Sequence, residues 1–158
     1  MSKYARQLYG PRLKRWLGLL DAAYRASSYC TADLVITIGK RHPLLDEALR
    51  AKGCRTWAFL TAANPRSRCL SDADNRQRLH ALQERLKPIF VQIFSGESLA
   101  ARAGRPWPAE PGFLVQGISV AEASALARSF GQHALVYGQL GGEAKLLWLT
   151  PWHKSPFL

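Results

Sequence analysis

Six polar side chains crowd into fifteen residues of this chain: Thr61, Asn64, Arg66, Ser67, Arg68 and Asn75. Such a set supports two kinds of chemistry. Arginine carries a fixed positive charge on a fork that matches phosphate or carboxylate. Hydroxyls and amides hold a ligand by hydrogen bonds, or hold the loop that meets the ligand. Ser71 follows in a capping pattern with Asp74, at the head of a helix whose first N–H groups lack intrahelical partners and favour an anion. Two more candidates stand apart. Glu110, in "RPWPAEPGF", sits between prolines in a stiff setting and is the candidate acid or base; Gln132 follows Gly131 at a helix-to-strand junction.

Other chemistries lack their signatures. There is no Gly-x-Gly-x-x-Gly, no phosphate-cradling Gly-Lys-Ser/Thr loop and no Gly-x-Ser-x-Gly. "DADNRQ" begins like a calcium loop but lacks its glycine and distal glutamate. His42, His80, His133 and His153 show no metal-ligand spacing and read as structural or exposed. No metal site and no cofactor is expected.

The elements that must position these residues are legible from periodicity. "GPRLKRWLGLLDAAYRA" spaces Leu13, Trp16, Leu17, Leu20 and Tyr24 as an amphipathic helix over 12–26. "DLVITIG", "TWAFLTA", "PIFVQIF", "FLVQGIS", "ALVYGQL" and "AKLLWL" read as strands. The near-continuous apolarity of "TWAFLTA" predicts a central strand covered on both faces. "HPLLDEALRAKG", the segment from Ser71 to about Lys87, and "SVAEASALARSFG" read as helices, the last with a capping box from Ser119 to Glu122. Residues 95–112 read as a long connection. Asn75 leads Leu79, Leu82 and Leu86 along one helix face, so it heads the buried stripe and points back at the end of the "TWAFLTA" strand. There it either ties down the "TAANPRS" loop or touches a ligand. The expected fold is α/β or α+β: a mixed sheet of about five to six strands flanked by about four helices.

At 158 residues the chain suits one domain, 1–158, with an aromatic tail over 150–158 that carries Trp152 and Phe157 close after Trp148. Its apolar stretches fall short of a membrane span and no export signal is read, so the expected location is the cytoplasm. Cys30, Cys54 and Cys69 are odd in number and widely spaced, unlike a disulfide framework or a zinc ribbon. The formal charge of +11 is segregated: residues 1–55 carry 11 basic and 4 acidic groups, 56–105 carry 8 and 4, and 106–158 carry 3 and 3. A basic surface of this kind attracts nucleic acid, a phosphorylated small molecule or an acidic protein.

Taken together, "AAY", "FLTAANPRS", "DN" before a helix, "WPAEPGF" and "FGQHALVY" resemble a bacterial family catalogued as domain of unknown function 3293, over roughly Leu20 to Leu149. Thr61, Asn64, Pro65, Ser67, Asn75, Glu110, Phe130, Gly131 and Gln132 fit its pattern. Ala63 stands where a tryptophan is frequent, and Gly112 where a serine is usual, which removes a hydroxyl two residues after Glu110. The resemblance implies convergence of these motifs in one domain and supplies no activity. The leading expectation is a binding protein for a polyanionic or phosphorylated ligand, above all nucleic acid. In that reading Arg66 and Arg68 hold phosphate, while Thr61, Asn64, Ser67, Asn75 and Gln132 shape the pocket. The alternatives are a small enzyme on a nucleotide-like or amide substrate with Glu110 as acid or base, and a protein-interaction module built on the aromatic tail.

Overall fold

The fold is that of a computed structural model, which describes residues 11–100 and 108–149. Along the chain run α1 (Pro11–Ala26), β1 (Ser28–Thr31), β2 (Val35–Thr37), α2 (Pro43–Ala51), β3 (Thr56–Thr61), a single 3-10 turn (Pro65–Ser67), α3 (Asp72–Leu86), β4 (Ile93–Leu99), β5 (Glu110–Gln116), α4 (Val120–Ser129), β6 (Ala134–Gln139) and β7 (Lys145–Trp148). The expected class holds, α+β with four α-helices among the described residues. The sheet has seven strands in the order β2-β1-β4-β5-β3-β6-β7, and every pairing is antiparallel rather than mixed.

Two differences from the expected strands have a common cause. β1, "SYCT", is an extra strand with no apolar alternation; it exists because it fills the gap between β2 and β4. The strand expected at "PIFVQIF" begins late. Ile89 and Val91 are exposed, and β4 continues through Ser95, Gly96 and Glu97, which pair with both β1 and β5. Backbone partners on two sides outweigh the strand propensity of single residues.

Local rules account for the helix boundaries. Ser119 and Glu122 make the full reciprocal capping box of α4. Ser71 accepts from the Asp74 N–H at the head of α3 and donates its own hydroxyl to the Asp74 carboxylate. Pro43 opens α2, and Gly131, at φ +71°, follows the end of α4. β3 is buried on both faces, as its apolarity requires. Ala58 and Leu60 face a core shared with Leu82 and Leu86 of α3 and with Ala123 and Leu126 of α4. Trp57 and Phe59 face a second core with Ile36, Leu45 and Leu49. The two sheet edges are tied at one end: Arg41 bridges Glu143, and the Gly39 N–H donates to the Ala144 carbonyl at 2.8 Å. Linked edges offer no free backbone there for another chain to pair with.

α1 packs on the domain's own sheet. Leu17 and Leu20 are buried, the Tyr24 ring meets Trp148 edge-on at 5.6 Å, and the Trp148 indole donates to Asp21 at 3.0 Å. Trp148 is thus part of the fold, while Trp152 and Phe157 lie outside the described residues. Among those residues no helix is long and apolar enough to cross a membrane.

Candidate functional site

Antiparallel pairing brings the carboxyl ends of β3, β4 and β7 to the same end of the sheet as the amino ends of β1, β5 and β6. A cavity of about 70 Å³ lies there, covered by Leu20, Ala23 and Tyr24 of α1 and by Ser27 just after it. Thr61, Asn64, Ser67, Glu110 and Gln132 all line it. The strands supply the rest of the wall, including Tyr29, Phe59, Ser98 and Leu135. Arg66 and Arg68 are exposed and do not line the cavity, and neither does Asn75.

Asn64 is the centre of the arrangement. It is only 5% exposed and takes a left-handed backbone conformation, φ 45°. Its side-chain oxygen accepts from the Leu70 N–H at 2.9 Å and from the Asn75 amide at 2.9 Å. Its amide donates to the Glu110 carboxylate at 2.9 Å, and its backbone N–H donates to the Asn75 oxygen at 3.0 Å. Asn75 therefore ties the loop through a reciprocal amide pair, the first of the two roles its place on the helix stripe allowed. Arg66 and Ser67 also stand in the left-handed region, at φ 55° and 58°. Three such residues within four are uncommon outside glycine, and strain of this kind gathers at sites that over-determine the backbone.

The rest of the loop is held as tightly. The Thr61 hydroxyl donates to the Pro111 carbonyl at 2.8 Å and accepts from the Ala63 N–H at 3.1 Å. Gln132 donates to the Ala63 carbonyl at 3.0 Å, and the Arg66 N–H donates to the Gly131 carbonyl at 2.8 Å. Gly131 is required here, since a Cβ would sit 2.9 Å from the Pro65 ring. Arg78 had drawn no attention in the sequence, where it reads as one more basic residue of a helix. It donates to the carbonyls of Ala62 and Phe130 and stacks its guanidinium 5.9 Å from the Phe130 ring centre, joining the loop to the end of α4.

The floor is aromatic. Phe59 packs edge-on to Tyr29, ring centres 5.5 Å apart, and lies across Gly96 and Gly112, which face each other between β4 and β5. The Tyr29 hydroxyl donates to the Tyr24 carbonyl at 3.1 Å; burial, then the neighbouring Tyr24 and Glu110 charges, push its pKa well above the usual phenol value. His133 is the residue that spacing missed, because a lone histidine before a strand carries no motif. It is 8% exposed, lines the cavity and meets Trp16 edge-on, with ring centres 5.5 Å apart. Burial and then the Arg66 charge lower its pKa, against a backbone carbonyl of Arg66 that raises it. His42 is lowered too, chiefly by burial, and its Nε2 accepts the Thr37 N–H at 3.0 Å.

Both histidines therefore bind a proton less readily folded than unfolded. The unfolded chain takes up protons below about pH 6.5 that the folded chain does not, so stability falls as pH drops through that value and levels off below the folded pKa values. Urea unfolding from about pH 7.5 down to about pH 5 should show the midpoint falling, with a smaller fall in His42→Gln and in His133→Gln. An unchanged pH dependence in both variants would refute this account.

The site's loop, its helix stripe and its carboxylate all lie on one stretch that a family shares. Residues 60–135 match the family described as Protein of unknown function (DUF3293). The DUF3293 match supports the resemblance read from the sequence over a narrower stretch than Leu20 to Leu149, from the end of β3 into β6. It contains Thr61, Asn64, Ser67, Asn75, Glu110, Gln132 and His133. α1 and Tyr29, which complete the pocket, lie outside it. No curated protein and no solved structure matches the chain.

Proposed function

We propose that the chain binds a small amide-like or nucleotide-like molecule in this cavity, with Glu110 as the group that recognises it and, where it is turned over, moves the proton. One observation carries the reading: Thr61, Asn64, Ser67, Glu110 and Gln132, brought from three separate segments, line a single pocket. Sites of this kind combine an apolar wall with a few convergent polar groups. Glu110 is oriented by Asn64, as a carboxylate must be to act on a ligand in a fixed pose. Thr61 is a positioning residue, since its hydroxyl is engaged with Pro111 and Ala63.

A second reading, binding of a polyanion such as nucleic acid, is favoured by the charge of +11 and by exposed Arg66 and Arg68. It concerns the outer surface. The head of α3 carries Asp72 and Asp74 in its first turn, which offsets its attraction for an anion.

One experiment addresses both. A thermal-shift screen of amides, nucleosides and nucleotides is run on the wild-type chain and on Glu110→Gln, alongside anisotropy with short RNA and DNA at two salt concentrations. Hits whose shift disappears in a folded Glu110→Gln variant support the pocket reading; hits that persist remove Glu110 from it. Steeply salt-dependent RNA or DNA binding, lost in Arg66→Glu plus Arg68→Glu, supports the polyanion reading.

A further inference from the structure

We propose that Ser98 is a ligand-binding residue of this cavity, its hydroxyl holding the polar head of a small amide. The proposal rests on the small-ligand reading of the pocket and adds to it a contact from β4.

Strand register places the residue. Ser98 on β4 is paired directly with Tyr29 on β1 and with Glu110 on β5. Directly paired residues share one face of a sheet, with Cβ atoms about 4.5–5.5 Å apart. Tyr29, Ser98 and Glu110 therefore form a row across three neighbouring strands, and all three line the cavity. The preceding residue of β4 on that face is Gly96, where a Cβ would stand 2.9 Å from the Phe59 ring. Small residues at both positions leave room above this part of the sheet. The cavity is about 70 Å³, against about 150 Å³ for one that accommodates benzene, so it admits a head group of a few heavy atoms.

Hydrogen bonding separates Ser98 from its neighbours. The Ser27 hydroxyl donates to the Ala23 carbonyl, Tyr29 to that of Tyr24 and Thr61 to that of Pro111, so the fold itself engages these three. Ser67 and Ser98 also line the cavity, and their hydroxyls make no hydrogen bond to any described residue. Ser67 stands in the left-handed region at φ 58°, where its replacement would disturb the backbone as well as the hydroxyl. Ser98 is half-buried in a strand paired on both sides, and its hydroxyl has no such second task. A serine hydroxyl both donates and accepts, so it meets either the carbonyl or the N–H of an amide. An amide seated on Ser98 has Glu110 beside it on one strand and Tyr29 on the other.

A hydroxyl that the fold does not use can be removed without loss of stability. Ser98→Ala should keep its melting temperature within about 2 °C of wild type. Acetamide and propanamide are titrated at millimolar concentration into the ¹⁵N-labelled full chain, wild type and variant. The expected result is a saturable shift of the Ser98, Glu110 and Thr61 backbone amides in wild type, and binding at least tenfold weaker in Ser98→Ala. Equal binding in the variant overturns the inference and leaves the small-ligand reading standing. A variant that melts several degrees lower, or does not fold, overturns it too, because the fold would then be using the hydroxyl. If neither amide binds while the wider screen yields ligands in this cavity, the inference falls alone; if nothing binds there, both fall.

Discussion

Asn64→Ala should lower the unfolding free energy by about 3–4 kcal/mol, a large part of what a domain of this size has. Three side-chain hydrogen bonds vanish at once, those with Leu70, Asn75 and Glu110. Each is worth about 1 kcal/mol net, more where the partner is ionised, and alanine offers the half-buried partners nothing in their place. Alanine also tolerates the left-handed backbone at φ 45° less well than asparagine, by about 1 kcal/mol. Asn64→Gly should recover that backbone part and no more. Asn64→Asp tests the electrostatics separately. It sets a second carboxylate against Glu110 where the amide now donates at 2.9 Å. One of the two must then hold a proton, so the new carboxyl has a folded pKa raised above its unfolded value. Its penalty relative to wild type is full at neutral pH and shrinks as pH falls toward about 4. Chemical denaturation of the three variants at two pH values measures all of this. An Asn64→Ala cost below about 1 kcal/mol would show that the loop holds its shape without the amide.

Restoring the serine usual in the resembling family, by Gly112→Ser, should destabilise the chain by about 3 kcal/mol or more rather than add a catalytic hydroxyl. A Cβ at Gly112 would stand 2.5 Å from the Leu60 carbonyl oxygen and 2.8 Å from the Phe59 ring. The first neighbour is backbone of the paired strand and cannot swing aside; overpacking of this kind commonly costs about 1–3 kcal/mol, and more where backbone must move. Gly96, opposite on β4, sits as close to the other edge of the same ring, 2.9 Å from its Cβ position. The two glycines are the bed on which Phe59 lies to form the pocket floor, and a side chain at either lifts the ring into the cavity. Gly18→Ala is the matched control. It meets nothing within 4 Å in α1 and should be neutral or stabilising by up to about 1 kcal/mol. Equal melting temperatures for Gly112→Ser and wild type would mean that β3 and β5 can separate locally and that a Ser–Glu pair is accessible after all.

The parts of this protein governed by neighbours in sequence were readable from sequence. Caps and glycines set α2, α3 and α4 to within a few residues, and β3 announced itself as central because both of its faces needed apolar cover. The stripe from Asn75 through Leu79, Leu82 and Leu86 pointed the amide at the end of β3, where it meets Asn64. That spacing works because a helix repeats every 3.6 residues whatever surrounds it.

What tertiary structure alone decided depends on contacts between distant residues. β1 and the second half of β4 are strands because partners on both sides supply hydrogen bonds, not because of their own composition. Ile89 and Val91 lost their expected place for the same reason. Glu110 became part of a site through Asn64, 46 residues away, and Arg78 through Phe130, 52 residues away. Arg66 and Arg68, adjacent to the pocket residues in sequence, were turned outward by a loop whose left-handed turns no propensity predicts. His133 carried no motif and became a pocket residue only through packing at the end of the sheet, where it meets Trp16 of α1. A cavity is a property of packing, so its shape and lining arise only once the elements are in contact.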